Sequence, residues 1–267
     1  MNTRKRVTIK RLRDMHASGE RIAMLTCYDA SFAGVLDAAG VDVLLVGDSL
    51  GMVLQGGDTT LSVSMDDVVY HTRCVARGND TAWVIADMPF GSYQESPEHA
   101  MRNAVRLMQA GANMVKIEGG GWTEPIVRFL VDRGIPVCAH LGLTPQSVHT
   151  LGGYRIQGRG DEAVSILRGH AERLAAAGAE MLVLELVPAA VGKDLTAHLS
   201  MPVIGIGAGA DCSGQVLVLH DMLGVTKTPR PRFVEDFLSD GGSIENAVRK
   251  YVHDVKHGLF PAIAHSY

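Results

Sequence analysis

QAGANMVKIE, residues 109–118, carries the end of a helical stretch, a glycine, and then a short apolar run that finishes on an acidic side chain. Two other stretches are built alike, AAGVDVLLV at 38–46 and AAGAEMLVL at 176–184. Gly40, Gly111 and Gly178 stand where a helix ends in a left-handed residue, a conformation glycine adopts without a Cβ penalty. Each stretch is therefore read as one helix-to-strand joint. Working outward, the same alternation supplies eight strand-like runs, at 22–26, 41–47, 82–87, 113–118, 135–140, 180–185, 202–207 and 215–220. Eight nearly continuous apolar strands alternating with helices predict an α/β fold, a (β/α)8 TIM barrel whose strands are buried on both faces. An open, doubly wound sheet is the alternative.

The 267 residues, with 46% hydrophobic and 20% charged side chains, suit a single barrel domain over 1–267 with a short helix before it and helices after it. A net charge of -4 leaves no basic excess to neutralise phosphates, which argues against a nucleic-acid partner. No apolar run approaches the length of a membrane span. Cys27, Cys74, Cys138 and Cys212 form no CxxC pair, so neither a thiolate zinc site nor a disulfide framework is expected, and the cytoplasm is the expected compartment. The basic start, from Arg4 to Arg13, would also suit a mitochondrial transit peptide. Ile9, Leu12 and Met15, however, recur at helical spacing behind Thr8 as N-cap, and Gly19 ends the pattern, so a short packed helix is preferred.

Asp48, Asp87, Glu118, His140 and Glu185 each follow an apolar run. In a β/α barrel the carboxyl ends of all strands open at one mouth, so these scattered positions become one cluster. Any one of them alone would be read as a solvated loop residue or a helix cap; five in consecutive units, at unequal distances from the next helix, point to a site. Lys116 lies two residues before Glu118 and so faces the same way. Buried there, it pairs with a carboxylate or meets the anion of a ligand, and the clustering of charge favours the ligand. Carboxylates about 4 Å apart repel by roughly 4 kcal/mol at an effective dielectric near 20, so a positive partner is needed. Asp48, Asp87 and Glu118 offer only hard oxygens, which favours Mg²⁺ or Mn²⁺ over Zn²⁺. A 2-oxo acid could fill two positions on such an ion, which would then act as a Lewis acid toward an enolate. Ser49 is either a donor to substrate or the cap of a turn. GIGAGAD, 205–211, lacks GxGxxG spacing and is read as close backbone packing that leaves amide groups open to a substrate anion. His71, His99 and His170 fall in predicted helices and are read as solvated, and Trp83 as core.

With those residues in place the chain resembles the ketopantoate hydroxymethyltransferases of pantothenate biosynthesis. The likeness is carried by MLTCYDASFA from Met24, VGDSLGMVLQGGDTTLSV from Val46, ADMPFGSYQ from Ala86, MVKIEGG from Met114, HLGLTPQSV from His140, LVLELVP from Leu182 and PVIGIGAGADCSGQVLVLHDMLG from Pro202. It implies a barrel of the phosphoenolpyruvate/pyruvate superfamily with Mg²⁺ held by Asp48, Asp87 and Glu118, some contacts through water. It further implies an oxo-acid site formed by Asp48, Ser49, Asp87, Lys116 and His140, with Glu185 as the proton acceptor. The implied reaction transfers a one-carbon unit from 5,10-methylenetetrahydrofolate to 3-methyl-2-oxobutanoate, giving 2-dehydropantoate, in a homodecamer. Ala139, where glycine is expected, and Leu186, where cysteine or alanine is common, depart from the family pattern and bear on pocket shape. Two rivals are a carbon–carbon lyase of the same superfamily, whose KKCGH motif is absent, and a non-catalytic metabolite-binding barrel.

Overall fold

The computed structural model describes residues 4–226 and 230–267; residues 1–3 and 227–229 of the domain expected over 1–267 lie outside the described part. The strands are β1 (Ile22–Thr26), β2 (Val43–Val46), β3 (Trp83–Asp87), β4 (Met114–Glu118), β5 (Val137–Gly142), β6 (Met181–Glu185), β7 (Val203–Ile206) and β8 (Gly214–Leu217). Each pairs in parallel with the next, and β8 returns to β1 in a register running from Ile22 opposite Gly214 to Leu25 opposite Leu217. The sheet therefore closes into a barrel and leaves no open edge, which settles the choice against the doubly wound alternative. All eight expected strands exist, with shifted ends. β2 stops at Val46, before Asp48; β5 runs on past His140 to Gly142; and the run expected at 215–220 breaks at Val218, where a short helix, Leu219–Met222, begins.

The strands are buried on both faces because helices cover the outside and side chains fill the inside. Leu44, Ile85, Val115, Leu182 and Ile204 are fully buried, each such side chain contributing about 1.5–3 kcal/mol. Helix Met65–Gly78 starts in a capping box in which the Ser64 hydroxyl accepts from the Asp67 amide and the Asp67 carboxylate accepts from the Ser64 amide. Helix Pro97–Ala110 starts behind Ser96 with proline in its first turn and stops at Gly111, whose φ is +113°. Gly40 and Gly178 are left-handed too, at +93° and +98°, so the repeated joint forms as read. The first helix, Ile9–Ser18, is capped by Thr8 and ended by Gly19 as expected.

The C-terminal part packs on the outside of the barrel and also reaches its mouth. Helix Ile244–Lys256 covers the β1–β8 seam, where the buried Tyr251 hydroxyl donates to the carbonyls of Met24 and Gln215 at 2.9 Å each. The segments on either side of that helix reach the carboxyl mouth, where Phe233 and Tyr267 line the cavity. Among the described residues no helix is long and apolar enough to cross a membrane.

Candidate active site

The mouth holds a cavity of about 430 Å³ lined by Asp48, Ser49, Asp87, Lys116, Glu118, His140 and Glu185, all the residues singled out in the sequence. Asp87, Glu118 and Glu185 end β3, β4 and β6, His140 lies within β5, and Asp48 sits in the turn just after β2. Parallel strands in one register deliver these side chains to one rim, and the period of two along β4 turns Lys116 and Glu118 inward together.

Lys116 is buried, with its Nζ 2.6 Å from Asp87 Oδ1 and 3.4 Å from Glu118 Oε1. The carboxylate partner that the sequence left as the second choice is thus present, while the ammonium still lines the cavity. Burial alone would lower its pKa, but the Asp87, Glu118 and Asp48 carboxylates outweigh burial and hold it well above the ordinary lysine value. Asp87 Oδ2 accepts from the Asp48 amide at 2.9 Å, which sets the two aspartates side by side. Asp48 accepts from Gln146 Nε2 at 2.9 Å; burial, then repulsion from Asp87 and Glu118, pushes its carboxyl well above the usual range.

Glu118 is differently placed. Its Oε2 accepts from the Gln146 amide at 3.0 Å, and its Oε1 lies 3.1 Å from His140 Nδ1. Burial opposes its ionisation, but Lys116 and His140 outweigh burial and hold the carboxyl below the usual glutamate value. For His140, burial and Lys116 disfavour the charged ring, yet Glu118 raises the pKa to about 9, so the ring is an imidazolium at neutral pH. Its Nε2 lies 3.3 Å from Glu185 Oε2 without a well-aligned hydrogen bond.

Glu185 has a side chain 14% exposed at the cavity rim. Its carbonyl accepts from the Leu143 amide at 2.8 Å, and a Cβ on Gly142, where φ is +88°, would lie 2.1 Å from that oxygen. Only glycine lets β5 and β6 approach so closely here. Leu186 follows with φ +44°, a region that branched side chains rarely adopt. Hydrogen bonds from its amide to Ile206 and from the Gln157 amide to its carbonyl hold that turn. Of the two departures from the family pattern, Leu186 reaches the cavity wall, whereas Ala139 is buried in the barrel. Ser49 precedes the short helix Leu50–Val53 but makes no capping bond; its hydroxyl lies 2.9 Å from the Tyr28 hydroxyl instead.

The donors near Asp48 and Asp87 are hard oxygens that fit Mg²⁺, an ion that takes one or two carboxylates and completes its shell with water or substrate. Glu118 fits a direct ligand role less well than Asp87: its Oε1 meets both His140 and Lys116 and its Oε2 the Gln146 amide, whereas each Asp87 oxygen meets one donor and keeps a lone pair free. No three His, Cys, Asp or Glu side chains converge on one point among the described residues. Glu118 would reach such an ion through water.

Sequence reasoning gave no role to Gln146, Tyr28 or the aromatic pair Phe233 and Tyr267. Gln146 lies in a loop just after Pro145, where polar residues are read as solvated, yet it is 6% exposed. Nothing in the local pattern around Phe233 and Tyr267 indicates that the chain returns to the mouth. Other readings change. The glycines of 205–211 serve close packing: added Cβ atoms would meet Cys212, Phe233 and Ala189, so the reading of amide groups left open to an anion gains no support. His71, His99 and His170 are helical but half-buried, and His71 Nδ1 lies 2.7 Å from the Tyr28 carbonyl. Trp83 is half-buried against the core. All four cysteines are free, and burial pushes the thiols of Cys27, Cys138 and Cys212 up to about 12, which leaves them inert.

A closed eight-stranded barrel with its ionisable side chains gathered at the carboxyl mouth belongs to the (β/α)8 enzyme class. Phosphonopyruvate hydrolase, solved with oxalate and Mg²⁺, shares the barrel with a TM-score of 0.63 and 13% identity, over 97% of this chain and 93% of that one. The 2,3-dimethylmalate lyase of the PEP mutase/isocitrate lyase superfamily gives a TM-score of 0.54 and 17% identity, over 96% and 89%. At such identities the likeness is one of fold alone. Sequence is more specific: the family model for ketopantoate hydroxymethyltransferase matches residues 6–263. The 3-methyl-2-oxobutanoate hydroxymethyltransferase 2 of Methylibium petroleiphilum is 62% identical over 261 residues, 97% of this chain and 94% of that protein. This chain belongs to the ketopantoate hydroxymethyltransferase family.

Proposed function

We propose that this protein is a 3-methyl-2-oxobutanoate hydroxymethyltransferase that takes its one-carbon unit from 5,10-methylenetetrahydrofolate and forms 2-dehydropantoate for pantothenate biosynthesis in the cytoplasm. The observation that carries this reading is the juxtaposition of Glu185 and the His140 imidazolium with the Lys116–Asp87 pair in one cavity. Mg²⁺, held by Asp48 and Asp87 and by Glu118 through water, would supply positive charge to the keto and carboxylate oxygens of the oxo acid. The chain's own residues do the rest. Lys116 and Ser49 fix the oxo acid, and Glu185 takes the proton from C3, leaving the electron pair to form the new bond to the one-carbon unit. Water supplies the hydroxyl oxygen as both bonds from the one-carbon unit to the folate nitrogens break, and tetrahydrofolate leaves with one proton from water and the one that Glu185 had taken. His140 holds Glu185 in position at 3.3 Å.

The test is product formation from the two substrates, followed by NMR with Mg²⁺ and again after chelation. We expect 2-dehydropantoate only with the ion; no product with the ion would overturn the activity, and undiminished turnover in protein shown to be metal-free would overturn the cation. The assembly we propose with it is a homodecamer. A sedimentation mass of one 28.6 kDa chain would exclude it.

A further inference from the structure

Gln146 is the most connected polar side chain at the mouth, and the chemistry described above gives it no part. It sits in the short turn Pro145–Ser147 after β5 and is buried. Its Nε2 donates to Asp48 Oδ2 at 2.9 Å and to the Met88 carbonyl at 3.0 Å. Its Oε1 accepts from the Tyr93 hydroxyl at 2.7 Å, and its backbone amide donates to Glu118 Oε2 at 3.0 Å. One residue thus ties the ends of β2, β3, β4 and β5 together. The Met88 carbonyl fixes which end of the amide is which: it can only accept, so Nε2 lies there and faces Asp48, and Oε1 is left to the Tyr93 hydroxyl.

We propose that Gln146 is a positioning residue that assigns different roles to two neighbouring carboxylates. Its side chain occupies one oxygen of Asp48 and leaves the other for a divalent cation. Its backbone amide, together with His140 and Lys116, engages the oxygens of Glu118 and keeps that carboxylate back from the ion. Without this donor no hydrogen bond would hold the Asp48 carboxylate, which is repelled by both Asp87 and Glu118. Groups that orient a ligand in this way commonly change metal affinity by about 10- to 100-fold when removed.

This inference rests on the reading of Asp48 as a cation ligand. The test uses Mn²⁺ alone, without substrate, titrated into the full chain and followed by the spin-resonance signal of the free ion. Gln146→Met keeps the length of the side chain and the backbone amide but removes the donor to Asp48. We expect its Mn²⁺ affinity to fall by about 10- to 100-fold. Tyr93→Phe removes a partner of the same amide without touching Asp48, so it is expected to stay within about threefold of wild type. A merely structural role for Gln146 predicts that both variants shift the unfolding midpoint and neither shifts the affinity. Wild-type affinity in folded Gln146→Met overturns the proposal. Should that variant fail to fold, Gln146→Asn keeps the amide but falls a methylene short of Asp48, and unchanged affinity there overturns it equally. No saturable Mn²⁺ binding by the wild-type chain overturns the cation reading itself, and this inference with it.

Discussion

Glu185→Gln is expected to lower the formation of 2-dehydropantoate by about 10²- to 10⁴-fold, the range that one positioned base contributes. The substitution keeps the volume at the end of β6, and the amide oxygen can still face His140 Nε2, so the wall of the cavity survives. What is lost is the proton acceptor. The same variant isolates the step: wild-type protein with Mg²⁺ and 3-methyl-2-oxobutanoate in deuterated solvent is expected to exchange the C3 proton before any folate arrives, and Glu185→Gln to exchange it more slowly by the same factor. Binding of the oxo acid, measured by calorimetry, should change little. Exchange at the wild-type rate in the variant would remove Glu185 from the role of base. No exchange in the wild type would mean that deprotonation waits for the second substrate.

The second large effect concerns Lys116. From the sequence, replacing it is expected to weaken oxo-acid binding and spare the barrel. The structure changes that expectation, because the ammonium is buried between Asp87 and Glu118. Removing one member of a buried ion pair leaves the other charge uncompensated and costs about 3–5 kcal/mol. Lys116→Met, close in length and uncharged, should therefore lose about that much unfolding free energy in urea, measured with a chelator present so that no cation substitutes for the lysine. Affinity for the oxo acid should fall as well, by at least about 30-fold, the equivalent of 2 kcal/mol for a lost buried charge contact. A stability loss with unchanged binding per folded molecule would make Lys116 an ion-pair partner only. Lost binding at unchanged stability would make it a ligand contact only.

The eight strands were legible because each is a short apolar run, β2, β4 and β6 being entered through a helix-ending glycine, and local conformational cost is written in local sequence. The charged residues at the mouth were legible for a related reason. A carboxylate at the end of an apolar strand is conspicuous, and the fold rule that gathers strand ends at one mouth does the rest. Asp87, Glu118 and Glu185 end their strands as read, whereas Asp48 lies beyond its strand and His140 before the end of its own. Strand ends depend on pairing with neighbours, which no single stretch contains.

What the sequence by itself determined, then, was the barrel, the residues at its mouth and the family. Tertiary structure alone decided how those residues divide their work: that Lys116 is held by Asp87, that both oxygens of Glu118 are engaged, that Ser49 faces Tyr28, and that Gln146 holds Asp48. It also decided that Phe233 and Tyr267 close the cavity from the far end of the chain. The physical reason is range. Turn, strand and helix preferences act over a few neighbouring residues, whereas hydrogen bonds and charge pairs depend on distances of about 3 Å between groups far apart in the chain, 98 residues for Gln146 and Asp48. Only closing the barrel sets those distances.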